Sequence, residues 1–224
     1  MTQTQISVNN VMKYVHMDKY RPVKDKLIKE VDTLMNFDCW DVDGNQINHD
    51  QLLEACSFEN IQESFDYTMM CFRESLRIEA PINSSSAHTV TKDVILARGT
   101  PKELKIDAGD SIFVLQASLH HDPNLWGSNH WEFIPERFDS NSEHFYAPGG
   151  GRRNPFAFAP FLGGHRICLG KTFAETAAKK LIAMTMKFYA LEHADPAMKL
   201  ETFEYNVYQL APPEIHFNFK KRAM

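Results

Sequence analysis

The chain has 224 residues, 43% hydrophobic and 24% charged, a composition ordinary for a globular domain that allows one large core or two small ones. A formal net charge of -5, with no long Lys/Arg block, excludes a whole-chain basis for nucleic-acid binding. Four scattered cysteines, Cys39, Cys56, Cys71 and Cys168, are too few for a disulfide framework and favour a reducing compartment. No run approaches the roughly 18 to 20 apolar residues that span a bilayer. The polar start, Met1 to Asn10, also lacks the hydrophobic stretch of a signal peptide.

In chain order, a helical stretch covers Val8 to His16, and Arg21-Pro22 opens a second helix, since proline suits a first helical turn. Val23, Leu27, Val31 and Leu34 recur at helical spacing. Asp43-Gly44-Asn45 then marks a turn before a short helix around Leu52 and Leu53, so residues 21 to 58 read as two helices. Phe65 to Arg77 is helical, broken by Pro81 and the polar run Asn83 to Ser86. Val94 to Leu96, Leu104 to Ile106 and Ile112 to Leu115 are short strands of a small antiparallel sheet, with Ala108-Gly109-Asp110 turning between the last two. Residues 139 to 160 are loop-like, with Pro148, three successive glycines and Asn154-Pro155. A long helix from Gly170 to Tyr189 carries Phe173, Ala177, Leu181, Met184 and Phe188 on one face. A terminal strand of period two follows, through Ile215, Phe217 and Phe219.

The segment Phe161-Leu162-Gly163-Gly164-His165-Arg166-Ile167-Cys168-Leu169-Gly170 joins the coil to the long helix. Cys168 thus sits where unpaired backbone N–H groups and the positive end of a helix favour a thiolate. A soft anionic sulfur suits iron, the glycines let the backbone fold close beneath a flat ligand, and Arg166 offers a fork for a carboxylate. Taken alone, a lone cysteine is more often a small buried hydrophobe. Glu74 and Arg77, three apart on a helix, share a face, and by themselves would be an exposed ion pair worth a few tenths of a kcal/mol.

Phe161, Gly164, Arg166, Cys168 and Gly170 match Phe-x-x-Gly-x-Arg-x-Cys-x-Gly, and the chain resembles the cytochrome P450 family in its C-terminal, haem-binding portion. Leu162 departs from the small or polar residue usual there. The helix Phe72-Arg73-Glu74-Ser75-Leu76-Arg77 resembles the family's Glu-x-x-Arg helix, and Pro135-Glu136-Arg137-Phe138 its Pro-Glu-Arg-Phe motif. Asp122-Pro123 and Trp126-Gly127 fit the pattern ahead of it, with His130 where proline is common. The resemblance runs from about Arg21 to Arg222 and implies a mainly α fold with small antiparallel β-sheets. Residues 1–224 would form one partial domain without the family's N-terminal half, leaving apolar surface of the long helix unburied.

The resemblance further implies that haem, iron protoporphyrin IX, is held with its iron on Cys168 and contacts from Arg166, His88, Phe161 and Gly164. His88 is the family's propionate-side Arg or His, against the alternative of a solvated loop histidine. Glu74, Arg77 and Arg137 would form a buried structural triad. The activity implied is monooxygenation, one atom of dioxygen entering a small organic, lipophilic substrate. Electrons would come from an NADPH-dependent reductase or another donor docked on basic residues drawn from Arg152, Arg153, Lys171, Lys179 and Lys180. A solvated charged surface explains these five equally well. Substrate contacts would come from Ile82 to Ala87 and from around Tyr208 and Gln209. Thr2 and Thr4 are the only candidates for the distal alcohol, and without an acidic neighbour neither is assigned that role. A truncated non-catalytic haem-binding fragment and a haem-thiolate isomerase or peroxidase remain alternatives. The setting expected is the cytosol, or the cytosolic face of the endoplasmic reticulum if an N-terminal anchor exists. His120-His121-Asp122 lacks a second ligand group at metal-site spacing and is not read as a zinc site.

Overall fold

The chain begins with a helix whose first turns carry almost no apolar periodicity, yet whose residues are buried nearly all round. In a computed structural model, which describes residues 3–38, 49–194, 204–205, 210–211 and 216–222, this helix is α1, Gln3–Val15. It starts five residues before the expected Val8 because its polar groups have buried partners. Ser7 Oγ donates to the Gln3 carbonyl at 2.9 Å, and Asn10 Nδ2 donates to the Glu79 carbonyl at 3.1 Å. Lys13 Nζ lies 2.5 and 2.6 Å from the two carboxylate oxygens of Glu79. Polar groups can be buried when partners offset their desolvation, so periodicity alone underestimates such a helix.

A short 3-10 turn, Asp18–Tyr20, leads to α2, Arg21–Leu34, with Pro22 in its first turn as expected. Leu27 and Val31 are buried, whereas Leu34 faces outward. The turn Asp43-Gly44-Asn45, Cys39, Thr2, Tyr208, Gln209 and Ile215 lie outside the described residues. Beyond α3, His49–Ala55, comes a further helix, α4, Phe58–Glu63, capped by the Ser57 hydroxyl accepting from Asn60 N–H.

α5, Asp66–Ile78, opens after Phe65, whose φ is 61°. Its capping group is distant in sequence. Glu30 of α2 accepts from the backbone N–H of Tyr67 at 2.6 Å, from that of Thr68 at 2.8 Å, and from the Thr68 hydroxyl at 2.7 Å. A carboxylate at a helix N-terminus both pairs the orphan donors and meets the positive dipole end. α2 thereby fixes where α5 begins.

Where one small sheet is expected there are two separate antiparallel pairs. β2, Val94–Leu96, pairs with β3, Leu104–Ile106, in the register Val94↔Ile106, while β4, Ser111–Ile112, pairs with β1, His88–Thr89. The short strand at His88–Thr89 recruits β4 away from its sequence neighbour, and a bridge from Ser84 to Leu115 extends that contact. Two short helices follow, α6, Gln116–His120, and α7, Pro123–Trp126, the second capped by Asp122 accepting from Asn124 N–H. Residues 139–160 hold two 3-10 turns, Glu143–Phe145 and Pro155–Ala157, and a single antiparallel bridge, Tyr146↔Arg152.

α8, Lys171–Phe188, continues into β5, Tyr189–His193, which pairs antiparallel with β8, Phe217–Lys221, and β6, Glu204–Tyr205, pairs with β7, Leu210–Ala211. The buried face of α8 is Ala178, Ile182, Ala183 and Met186, against α1, α2 and α5. Of the apolar stripe on one face, Phe173 is 76% exposed and Leu181 47%, whereas Met184 is partly buried and Phe188 buried, so part of the helix's apolar surface is uncovered. α8 is apolar over most of its circumference, so spacing alone does not select the buried side. The architecture is mainly α with small antiparallel sheets. Among the described residues no helix is long and apolar enough to cross a membrane.

Candidate functional site

Glu74 and Arg77, one turn apart on α5, are both fully buried and paired fork to fork: Arg77 Nε donates to Glu74 Oε2 and Nη2 to Oε1, each at 2.8 Å. Arg137, in the 3-10 turn Pro135–Phe138, approaches the same carboxylate. Its Nε lies 3.3 Å from Glu74 Oε1, an ion-pair contact rather than an aligned hydrogen bond. Its other donors reach the Trp126 carbonyl at 2.7 Å and Asn129 Oδ1 at 2.8 Å. Glu74 Oε1 also accepts Ile134 N–H at 3.0 Å, and Arg77 Nη1 donates to the His120 carbonyl at 2.9 Å. The structure therefore brings the three charges together and ties α5 to the coil before and after Pro135.

Two cations expected on an outward basic face point inward instead. The N–H groups of Arg153 reach five carbonyls, those of Leu125, Arg137, Phe145, His144 and Tyr146. Its guanidinium also lies over Trp126, 4.6 Å from the ring centroid. Lys179 is buried, and its ammonium is held by the carbonyls of Ile61 at 2.9 Å, Gln62 at 3.2 Å and Ser64 at 2.7 Å, at the end of α4. Both were misplaced because a coil and a helix end full of unpaired carbonyls attract buried donors, which sequence position does not reveal. The loop-like composition around Asn154-Pro155 was visible, but the five carbonyls were not.

The coil ends in the cysteine loop. Leu162 takes φ 62° and Gly164 φ 66°, so a leucine occupies left-handed backbone that favours glycine. Cys168 N–H donates to the Phe161 carbonyl at 2.9 Å, closing the loop before α8 begins at Lys171. Among the described cysteines, Cys56 and Cys71 are buried and Cys168 is exposed. Burial pushes the thiol of Cys71 well above its ordinary range, which leaves it inert.

Cys168 lies in the wall of a cavity of about 530 Å³ shared with Phe161, Leu162, Phe173 and Leu76. The wall also includes Thr4 and Ser7 of α1, and Ser84, Ser85 and Gln116. Leu169 is fully exposed beside the cysteine, and Phe156 and Ile167 are also exposed. A thiol presented amid uncovered apolar side chains fits a large flat ligand with a metal that prefers soft sulfur. Of the other expected contacts, Gly164 and Arg166 form the exposed turn Gly164–Arg166, and His88 is exposed on β1. None of these three lines the cavity. Thr4 is the described threonine of α1, and its place in the wall was not legible from its neighbours.

A cytochrome P450 family model matches residues 10–219 of the chain. It is 32% identical to cytochrome P450 4A24 of Sus scrofa over 178 residues, covering 80% of this chain and 28% of that protein. Against cytochrome P450 4F2 of Homo sapiens it is 30% identical over 188 residues, covering 83% and 31%. Against the taurochenodeoxycholic 6 alpha-hydroxylase of Sus scrofa it is 31% identical over 179 residues, covering 80% and 30%. The chain spans less than a third of the length of these relatives. The crystal structure of a cytochrome P450DA mutant heme domain superposes with a TM-score of 0.72 at 20% identity, covering 99% of this chain and 41% of that one, a likeness of fold.

Proposed function

Because this chain belongs to the cytochrome P450 family, we propose that Cys168 ligates haem iron as a thiolate in a monooxygenase site acting on a small organic, lipophilic substrate. The observation that carries the reading is the exposed thiol of Cys168 in the wall of an apolar cavity, at the start of α8. Bound haem would supply iron-centred activation of dioxygen, one atom of which enters the substrate. The chain's own residues hold and orient. Phe161, Leu162 and Phe173 offer apolar contact to a flat ring, Gly164 turns the backbone at positive φ, and Arg166 and His88 are exposed partners for propionates. Thr4 and Ser7 of α1 line the same cavity, and no distal alcohol is assigned.

Electrons would come from an NADPH-dependent reductase or another donor. With Arg153 and Lys179 turned inward, the docking cations reduce to Arg152, Lys171 and Lys180. The relative named as a hydroxylase supports hydroxylation as the reaction class. The free thiols of Cys56, Cys71 and Cys168 support a reducing setting, the cytosol or the cytosolic face of the endoplasmic reticulum. A second reading is favoured by the open cavity. With Leu169, Phe173 and Leu181 uncovered, this chain alone would hold haem without turning substrate over.

The deciding experiment is the reduced, carbon monoxide-bound difference spectrum of haem-reconstituted protein beside Cys168→Ala. A strongly red-shifted Soret band lost in the variant supports thiolate ligation by Cys168, and its absence from the parent sinks the reading. Turnover with a hydroperoxide, and none with reductase and NADPH, would move the assignment to a peroxidase.

A further inference from the structure

Gln116 and His120 stand four apart on α6 and share a face of that five-residue helix. Both are buried, at 2% and 0% exposure. Gln116 Nε2 donates to the Ala159 carbonyl at 2.8 Å, and His120 Nε2 accepts Ala159 N–H at 3.1 Å. A single coil residue thus has both backbone polar groups held by two side chains of one helix. The His120 ring also lies against Phe158, with centroids 5.5 Å apart.

Contacts run on from this clamp in both directions. Toward the core, the His120 carbonyl accepts from Arg77 Nη1 at 2.9 Å, so the clamp hangs on the Glu74–Arg77 pair. Toward the cavity, the Ala159 carbonyl also accepts Leu162 N–H at 3.0 Å, and the Phe161 carbonyl accepts Cys168 N–H at 2.9 Å. Gln116 itself lines the cavity that holds Cys168. An accepting Nε2 requires a neutral imidazole. Burial, with Arg77 beside it, holds His120 well below the ordinary histidine range, at about 3.

We propose that His120 and Gln116 are positioning residues: by fixing both backbone groups of Ala159 they transmit the rigidity of the Glu74–Arg77–Arg137 cluster to the loop that presents Cys168. The consequence for Cys168 rests on its reading as the haem ligand, whereas the clamp itself does not.

The test uses the full chain with two variants. His120→Phe keeps a ring against Phe158 and removes the acceptor, and His120→Gln restores an acceptor at similar reach. Hydrogen exchange at the Ala159 amide is expected to run roughly fivefold faster in His120→Phe and to recover in His120→Gln, the factor that one hydrogen bond of about average strength gives. At temperatures where each protein is folded, the thiolate-type share of the reduced carbon monoxide complex should fall by a similar factor in His120→Phe and recover in His120→Gln. A purely structural histidine would lower the melting temperature and leave that share unchanged. Equal Ala159 exchange in parent and His120→Phe overturns the clamp. Faster exchange with an unchanged thiolate share overturns the positioning role. A parent without a thiolate band sinks the ligation reading instead, and Ala159 exchange still decides the clamp. Should His120→Phe fail to fold, Gln116→Met puts the same question from the other arm.

Discussion

Replacing Arg153 by lysine keeps the charge and removes the geometry. The guanidinium N–H groups reach carbonyls at 2.9 Å (Leu125), 2.7 Å (Phe145), 2.6 Å (His144), 2.8 Å (Tyr146) and 3.5 Å (Arg137). An ammonium has three donors and no plane to lay over Trp126, 4.6 Å from the Arg153 guanidinium carbon. At least two charged hydrogen bonds are lost, each worth about 1.5 to 3 kcal/mol. The longest contributes least, and because the side chain is only half-buried, water replaces part of what is lost. The expected cost of Arg153→Lys is therefore about 2 to 4 kcal/mol. Equilibrium urea unfolding followed by far-ultraviolet circular dichroism would show it as a midpoint lowered by roughly 1 to 2 M at an unchanged slope. Burial and the neighbouring Arg137 bring the guanidinium down to about 10, so it stays charged at neutral pH and the comparison with lysine is one of shape. A loss below about 0.5 kcal/mol would refute the five-carbonyl account, because that is the range of an ordinary surface substitution.

Acid should destabilise the fold through His120, whose imidazole is neutral in the folded chain with a value of about 3. The unfolded histidine titrates near 6.5, so this stabilisation is complete above about pH 6.5 and is lost as pH falls toward 3. By pH 5 the loss is about 2 kcal/mol from His120, with smaller losses from the partly exposed His16 and His121, both held at about 4. Urea midpoints from pH 7 to pH 5 read it, and a flat profile contradicts it. Glu74→Gln leaves Arg77 and Arg137 buried without their shared carboxylate and should cost about 3 to 5 kcal/mol, measured by the same unfolding; a cost under about 1 kcal/mol would remove the cluster as a lock. Lys13→Met strands the buried Glu79 carboxylate at a similar cost, and the double variant with Glu79→Met should be more stable than Lys13→Met alone; the reverse order would show that Glu79 is held by partners other than Lys13, such as the Tyr14 hydroxyl.

What could be read in advance follows the range of the forces involved. α2 announced itself through Pro22 and through Leu27 and Val31, because caps and helical faces are local. The cysteine loop and the Glu74, Arg77 and Arg137 positions were legible as spacings. Their meeting depends on the coil folding back, and the pairing of α5 with Pro135–Phe138 is a tertiary event. β1 was missed because two residues carry too little pattern to stand out, and its capture of β4 followed from that. The inward face of α8 was not legible, because Phe173 and Ile182 are equally apolar and only the neighbours decide which is covered. Lys13, Arg153 and Lys179 look like solvent residues to any composition rule, and each is withdrawn by carbonyls or a carboxylate supplied from far along the chain.

The interior cations of this chain follow from its coil. Between Asp139 and Pro160 there are only 3-10 turns and the single bridge Tyr146↔Arg152, so many carbonyls there have no ladder or helix partner, yet the segment must be stiff if it is to place one cysteine at a cavity wall. An arginine offers five donors from one side chain in a fixed plane, which makes it the densest source of N–H groups available to an irregular backbone. Arg153 supplies such donors to His144, Phe145 and Tyr146, while Arg77 and Arg137 serve the carbonyls of His120, Glu132, Trp126 and Asn129 ahead of the coil; Arg77 and Arg137 share the charge of Glu74, and Arg77 and Arg153 both lie over the face of Trp126. The inward cation Arg153 is thus the counterpart of the coil's lack of secondary structure. A loop that carried the same cysteine on a β-hairpin would need neither the arginines nor the glutamate.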